Sequence, residues 1–288
     1  MELPISVLDQ SPIPEGLGGA DALRNSIDLA RLADELGYHR YWAAEHHGTP
    51  GLASASPEAL IGPIAAATAT IRVGSGGVML PHYSPLKVAE TFTALAGLFP
   101  GRIDLGFGRA PGTDPMTTFA LQRDRRDAAP DDFPEQMAEL LGYLNGNLPT
   151  DHPFARLAAT LPGLPERPEP WLLGSSPQSG IWAAELGLPY AFADFINARG
   201  ASIAAQYRAG AAEPRLAVAT WAIAADTEEE AQRLASSSRM LMRLLGQGRL
   251  IAVPPVEKAL RFLDSQGSAP ASPRDRRRRA TVGDPEQV

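Results

Sequence analysis

The 288-residue sequence contains no cysteine. That excludes disulfides, thiolate nucleophiles and cysteine-ligated zinc together, and it agrees with a reducing compartment, so a cytoplasmic location is expected. Basic charge is not in excess either. Against 33 Asp and Glu there are 26 Lys and Arg, a net charge of -7, which argues against nucleic acid or an anionic membrane surface as partner. No stretch approaches the ~18 uninterrupted apolar residues of a membrane-spanning helix. The opening MELPISVLDQ has neither the basic nor the apolar region of a secretory signal. No Ser/Gly-rich linker divides the chain, and a hydrophobic content of 44% is enough for one large core, so a single domain over residues 1–288 is expected.

What is present is an alternation of strand and helix signals. PISVLD (4–9) is a short β-rich run, followed by a helix over about 20–36 with Leu23, Ile27, Ala30 and Ala33 on one face and Gly37 as its stop. YWAAEHH (41–47) is the second strand. Ser56 with Pro57 and Ser84 with Pro85 have the form of an N-cap and first-turn pair, opening helices to about Ala69 and Leu98. Between and after them, TIRVGSGGVML (70–80) and GRIDLGFGR (101–109) read as strands three and four. The pattern then loosens into a loop or insertion region over 110–169, with a helix near 134–144. PWLLGSS (170–176), PYAFA (189–193) and RLAVATWAIA (215–224) supply three more strands, with helices around 178–187 and 227–245. Such alternation requires parallel pairing through right-handed crossovers, which leaves a doubly wound sheet or a (β/α)8 barrel. Seven strands are countable, and an eighth is not.

In a barrel the C-terminal ends of the strands carry the chemistry. Glu45, His46 and His47 stand at that end of strand two, Arg109 at that of strand four, and Gly174, Ser175 and Ser176 at that of strand five. Adjacent histidines on a strand point to opposite faces, so at most one of His46 and His47 faces the barrel mouth, which also disfavours a metal held by Glu45, His46 and His47. GFGRAPG (106–112) fails as a dinucleotide loop because no helix starts directly behind it. GSSPQSG (174–180) is better suited to an anion, since small hydroxyl residues there lead into a helix N-terminus. Trp42, Met79 and Phe107 stand where they line either the mouth or the core.

YWAAEHHG, VGSGGVMLPHYSPLKVAE, GRIDLGFGRAPG and WLLGSSPQSG, in this order, resemble the bacterial luciferase-like flavin-dependent monooxygenases, in particular the single-chain luciferase family oxidoreductases. The similarity covers nearly the whole chain. It implies a TIM barrel that binds FMN at the C-terminal rim, as reduced FMN delivered in trans by a separate flavin reductase. Matched position by position, Gly76 and Gly77 correspond to a non-prolyl cis peptide beneath the flavin ring. Arg109 corresponds to a residue holding the FMN phosphate, and Ser175, Ser176 and Ser179 to the phosphate cradle. His46 corresponds to the acid/base histidine; Glu45 and His47 flank it, Glu45 expected to share the catalytic role by orienting it and His47 to belong to the cofactor-binding set. The implied chemistry is addition of O2 to reduced flavin, giving a C4a-hydroperoxide that an apolar barrel mouth shields from water, with a small organic, aldehyde-like substrate. A homodimer is expected. The deazaflavin F420 is the less favoured cofactor, because no additional basic residues for its longer anionic tail are evident.

At the other end, SAPASPRDRRRRATVGDPEQV (268–288) reads as a polar tail, its arginine run solvated. Asp284, Pro285 and Glu286 there have the signature of a helix start. The expectation is therefore a family barrel that stops before its eighth strand. That leaves a second functional class open, a flavin-binding protein without turnover that is related to luciferase.

Overall fold

The structure is a computed structural model and describes residues 3–109, 114–122, 125–126, 131–197, 200–266 and 280–288. The arginine run at 276–279, most of the polar tail and parts of the 110–169 region lie outside the described residues. In chain order the elements are β1 (Ser6–Asp9), α1 (Gly19–Glu35), β2 (Arg40–Ala43), α2 (Pro57–Ala67), β3 (Arg72–Met79), α3 (Pro85–Leu98), β4 (Ile103–Gly108), α4 (Pro115–Leu121), α5 (Phe133–Asn145), β5 (Glu169–Gly174), α6 (Pro177–Glu185), β6 (Tyr190–Ala193), α7 (Gly200–Gly210), β7 (Leu216–Ala219), β8 (Trp221–Ala224), α8 (Glu228–Leu245), α9 (Val256–Ser265) and β9 (Ala280–Gly283). One sheet takes the order β1-β2-β3-β4-β5-β6-β7. This is an α/β fold with the connectivity of a TIM-type barrel lacking its eighth strand. Among the described residues no helix is long and apolar enough to cross a membrane.

The chain divides into two units. The first holds residues 1–11, 23–48 and 54–171. Its strands β1 to β4 pair in parallel and in register, with one shift between Gly76 and Val78. Large side chains such as Tyr41, Ile61, Ile64, Phe92, Phe107 and Phe133 are fully buried. Phe107 is thus core, and so is Trp42, whose indole N–H donates to Asp104 at 2.9 Å and whose ring meets Trp171 edge-on at 5.3 Å.

Proline occupies the first turn of both α2 and α3, but neither the Ser56 nor the Ser84 hydroxyl makes a cap bond. These helices start on the preset φ of proline rather than on a side-chain cap. Gly37, at φ 76, ends α1 as expected. Just before it, Asp34 accepts from the N–H of Ala69 at 2.5 Å, of Thr70 at 3.1 Å and of Ile71 at 2.8 Å, tying the end of α1 to the approach to β3. Burial works against its charge, yet those amides and the Thr70 hydroxyl hold the carboxyl down at about 2.

At the N-terminal feet of the strands lies a charged cluster. Asp104, fully buried, accepts from Arg40 at 2.9 Å and from Arg72 at 2.5 Å, and Glu169 lies 2.7 Å from Arg40 and 3.3 Å from Arg72. The Arg40 guanidinium also stacks over Trp171, 4.9 Å from the ring centroid.

The second unit holds residues 12–22, 49–53 and 172–288. Within it the end of β5 pairs with β6 and β6 with β7, over a core that includes Leu172, Tyr190, Phe192 and Tyr207. The run expected as one strand at 215–224 is two, since β8 leaves that sheet to pair in parallel with β9. After β9, the Asp284 carboxylate accepts from the N–H of Gln287 at 3.0 Å while the Gln287 side chain accepts from the N–H of Asp284 at 3.0 Å. That reciprocal pair has the bonding of a capping box, but among the described residues it closes a turn at 284–287 and not the helix that the sequence announces.

Candidate active site

In the first unit β2 ends at Ala43, two residues before Glu45, so strand alternation does not govern the directions of His46 and His47. Glu45 is fully buried. One carboxylate oxygen accepts from His47 Nε2 at 2.8 Å and from the Tyr83 hydroxyl at 3.0 Å; the other accepts from the N–H of Met79 at 2.9 Å. A buried carboxylate requires such donors, and here they join the end of β2 to the end of β3. Burial and the neighbouring Glu45 and Glu58 push the Tyr83 phenol far up, which keeps it protonated as a donor. Burial, with Glu45 nearby, also pushes Glu58 up. The His47 ring packs edge-on to His82, with centroids 6.0 Å apart.

The expected orienting contact between Glu45 and His46 is replaced by this one to His47. His46 meets Gln10 instead, with the amide nitrogen 3.2 Å from imidazole Nε2. Its backbone N–H donates to the Ser54 carbonyl at 2.8 Å, and the Ser54 hydroxyl donates to the Gln10 carbonyl at 2.9 Å. Gln10 was not singled out from sequence. The signal was nonetheless available, because Asp9 ends β1 as Ala43 ends β2, and the rule that strand ends carry chemistry applies equally to both.

Within β3, just before its last two residues, the Gly76–Gly77 peptide is cis. A Cβ on Gly76 would meet Leu8 at 2.5 Å and Trp42 at 2.9 Å, and one on Gly77 would meet the Gly106 carbonyl oxygen at 2.7 Å. Bare backbone is therefore required at both positions. Arg109 follows β4 directly. Its side chain is 53% exposed and lies 3.5 Å from the Asp131 carboxylate, a surface pair of the kind that exchanges partners readily.

In the second unit Ser176 caps α6, its hydroxyl accepting from the N–H of Ser179 at 3.2 Å. Ser179 is buried, and its hydroxyl is engaged by the Ser176 carbonyl at 2.8 Å and the Tyr190 hydroxyl at 2.9 Å. The Ser175 carbonyl accepts from the Asn197 amide at 2.6 Å. The turn is thus fixed from three sides, with the Ser176 side chain at its exposed surface.

A family model described as Luciferase-like monooxygenase matches residues 1–288. The chain is 44% identical over 257 residues to a protein named Luciferase-like monooxygenase from Escherichia coli (strain K12), covering 87% of this chain and 75% of that protein. It is 41% identical over 267 residues to the N-acetyl-S-alkylcysteine monooxygenase of Bacillus subtilis (strain 168), covering 91% and 79%. The crystal structure of apo-MsnO8 matches with a TM-score of 0.89 at 41% identity, covering 99% of this chain and 86% of that one. The oxygenating constituent of 3,6-diketocamphane monooxygenase from Pseudomonas putida, in complex with FMN, shares the fold at 20% identity and a TM-score of 0.72, covering 100% and 86%. From its first residues to its last, with relatives named monooxygenases across most of its length, this chain belongs to the luciferase-like monooxygenase family.

Proposed function

We propose that the chain is a flavin-dependent monooxygenase acting on a small organic substrate, with reduced FMN delivered by a separate flavin reductase. The observation that carries this reading is the set of strand tips in the first unit: His46 held by Gln10, the Glu45 hub, bare backbone at Gly76 and Gly77, and Arg109 directly after β4. These residues fit a phosphorylated flavin in their chemistry. A guanidinium with an exposed carboxylate partner can take a phosphate bidentately. In the second unit we assign Ser175 and Ser176 to phosphate binding, and Ser179 to the support of their turn. Bound reduced FMN supplies the electrons and the carbon to which O2 adds. His46 supplies the imidazole that serves as the acid/base group. Glu45, Tyr83 and His47 hold the ends of β2 and β3 together around it.

The test is rapid mixing of protein and reduced FMN with O2, with absorbance followed in time. A long-lived species distinct from reduced and oxidised flavin, consumed on adding substrate, is the expected result. Reoxidation at the rate of free flavin would favour a flavin-binding protein without turnover. Apolar aldehydes and N-acetyl-S-alkylcysteines are the first substrates to try, the second class taken from the name of the 41% identical relative.

A further inference from the structure

The end of β1 is built more heavily than a strand terminus requires. Asp9 is 6% exposed, and its carboxylate accepts from the N–H of Ser11 at 2.8 Å, the Ser26 hydroxyl at 2.5 Å and the Tyr41 hydroxyl at 2.8 Å. The Asp9 carbonyl accepts from the N–H of Ala44 at 2.8 Å. Ser11 is at φ 47, in the left-handed region that serine seldom adopts, and the bond from its N–H to Asp9 holds it there. Gln10 therefore sits between two anchored residues, with its own carbonyl bound by the Ser54 hydroxyl. Ser54 in turn accepts from the backbone of His46, so Gln10, Ser54 and His46 form a closed triangle whose third side is the contact from the amide to the imidazole.

We propose that Gln10 is the positioning residue of His46: its side-chain N–H donates to Nε2 and thereby selects the neutral ring that carries its proton on Nδ1. A neutral imidazole has one donor and one acceptor nitrogen, and the partner at one nitrogen decides which is which. The amide can donate through nitrogen or accept through oxygen, and in the orientation found nitrogen faces the ring at 3.2 Å. Fixing the ring this way sets both its plane and the atom from which a proton leaves, the two properties an acid/base group must hold constant through turnover. Asp9, Ser11, Ser26 and Tyr41 act one step behind, holding the segment that carries Gln10. The catalytic consequence rests on the role of His46 in the proposed function. The protonation pattern of the ring does not, and it is read without flavin.

The experiment is long-range proton–nitrogen correlation NMR of the full chain carrying 15N-histidine, five residues in all, with the His46 signals identified by their loss in His46→Asn. In the wild-type chain, at a pH where the ring is neutral, Nε2 is expected to resonate as pyridine-type and Nδ1 as pyrrole-type. Gln10→Leu removes the donor, and Nε2 is expected to lose pyridine-type character relative to the wild-type chain. Gln10→Glu replaces the donor by an acceptor, and the two nitrogens exchange character. Gln10 is only partly buried, so both variants should fold. A pyrrole-type Nε2 in the wild-type chain, or a His46 spectrum that fails to follow either substitution, overturns the assignment, whatever flavin does.

Discussion

The strands of the first unit carry polar clusters at both ends, and the two are satisfied in opposite ways. At the feet, charge meets charge: Arg40 and Arg72 face Asp104 and Glu169, two cations and two anions. At the tips, Glu45 is held by a phenol, a backbone amide and an imidazole, and His46 by a side-chain amide. The proposed function gives this difference a use. Paired full charges in a buried place are expensive to alter and fix one arrangement. Hydrogen bonds from neutral donors leave the protonation of a neighbouring histidine open to change while holding its geometry. Strand β2 has both kinds of end within six residues, Arg40 at its foot and Glu45 beyond its tip.

Breaking the foot should have the largest effect. Asp104→Ala leaves two guanidiniums and the Trp42 N–H facing a missing carboxylate, and a loss of about 3–5 kcal/mol is expected in urea unfolding. If the loss were under about 1 kcal/mol, the feet would not be the structural end. Glu45→Ala should cost less, about 1–3 kcal/mol, because it orphans neutral donors rather than charges. Glu45→Gln should recover part of that loss while still disturbing the histidine cluster, so activity and stability should separate there and not at Asp104. The smallest effect is expected at Asp34, away from both clusters. Its carboxyl sits at about 2 against the usual 3.8, so its contribution is complete above the usual value and is lost as pH falls through 3.8 towards about 2. Asp34→Asn should therefore flatten that stretch of the acid-unfolding curve and leave stability at pH 7 lower by a constant amount.

Much of the framework was legible in the sequence, because its first half punctuates each helix with proline and glycine. The expected helix from Pro85 to about Leu98 is α3 to the residue. Where legibility failed, the cause is a non-local partner. The buried face of α1 is Ala22, Ser26, Ala30 and Ala33, whereas Leu23 is 36% exposed. Apolar periodicity counts leucines and cannot know that Asp9 draws the Ser26 hydroxyl inwards. The run 215–224 reads as one strand because nothing local marks Thr220, where the pairing passes from β6 to β9. Helices α4, α7 and α9 were not anticipated; α7, GASIAAQYRAG, offers mostly small residues and little periodic contrast.

The candidate site divides in the same way. Residue types at strand ends pointed to Glu45, His46, His47 and Arg109, and the resemblance to Gly76 and Gly77. Which residue holds which was not visible. The carboxylate beside His46 in sequence binds His47, and a partner of His46 is 36 residues away.

The account turns on the tips binding reduced flavin with divided labour, so the decisive measurement is a paired titration and turnover assay on His46→Ala and Arg109→Ala. His46→Ala should lower turnover by about a hundredfold or more and leave FMN affinity within about twofold. Arg109→Ala should weaken FMN by about tenfold or more while saturated turnover persists. Equal loss of affinity and turnover in either variant, or FMN binding indifferent to both, would contradict it.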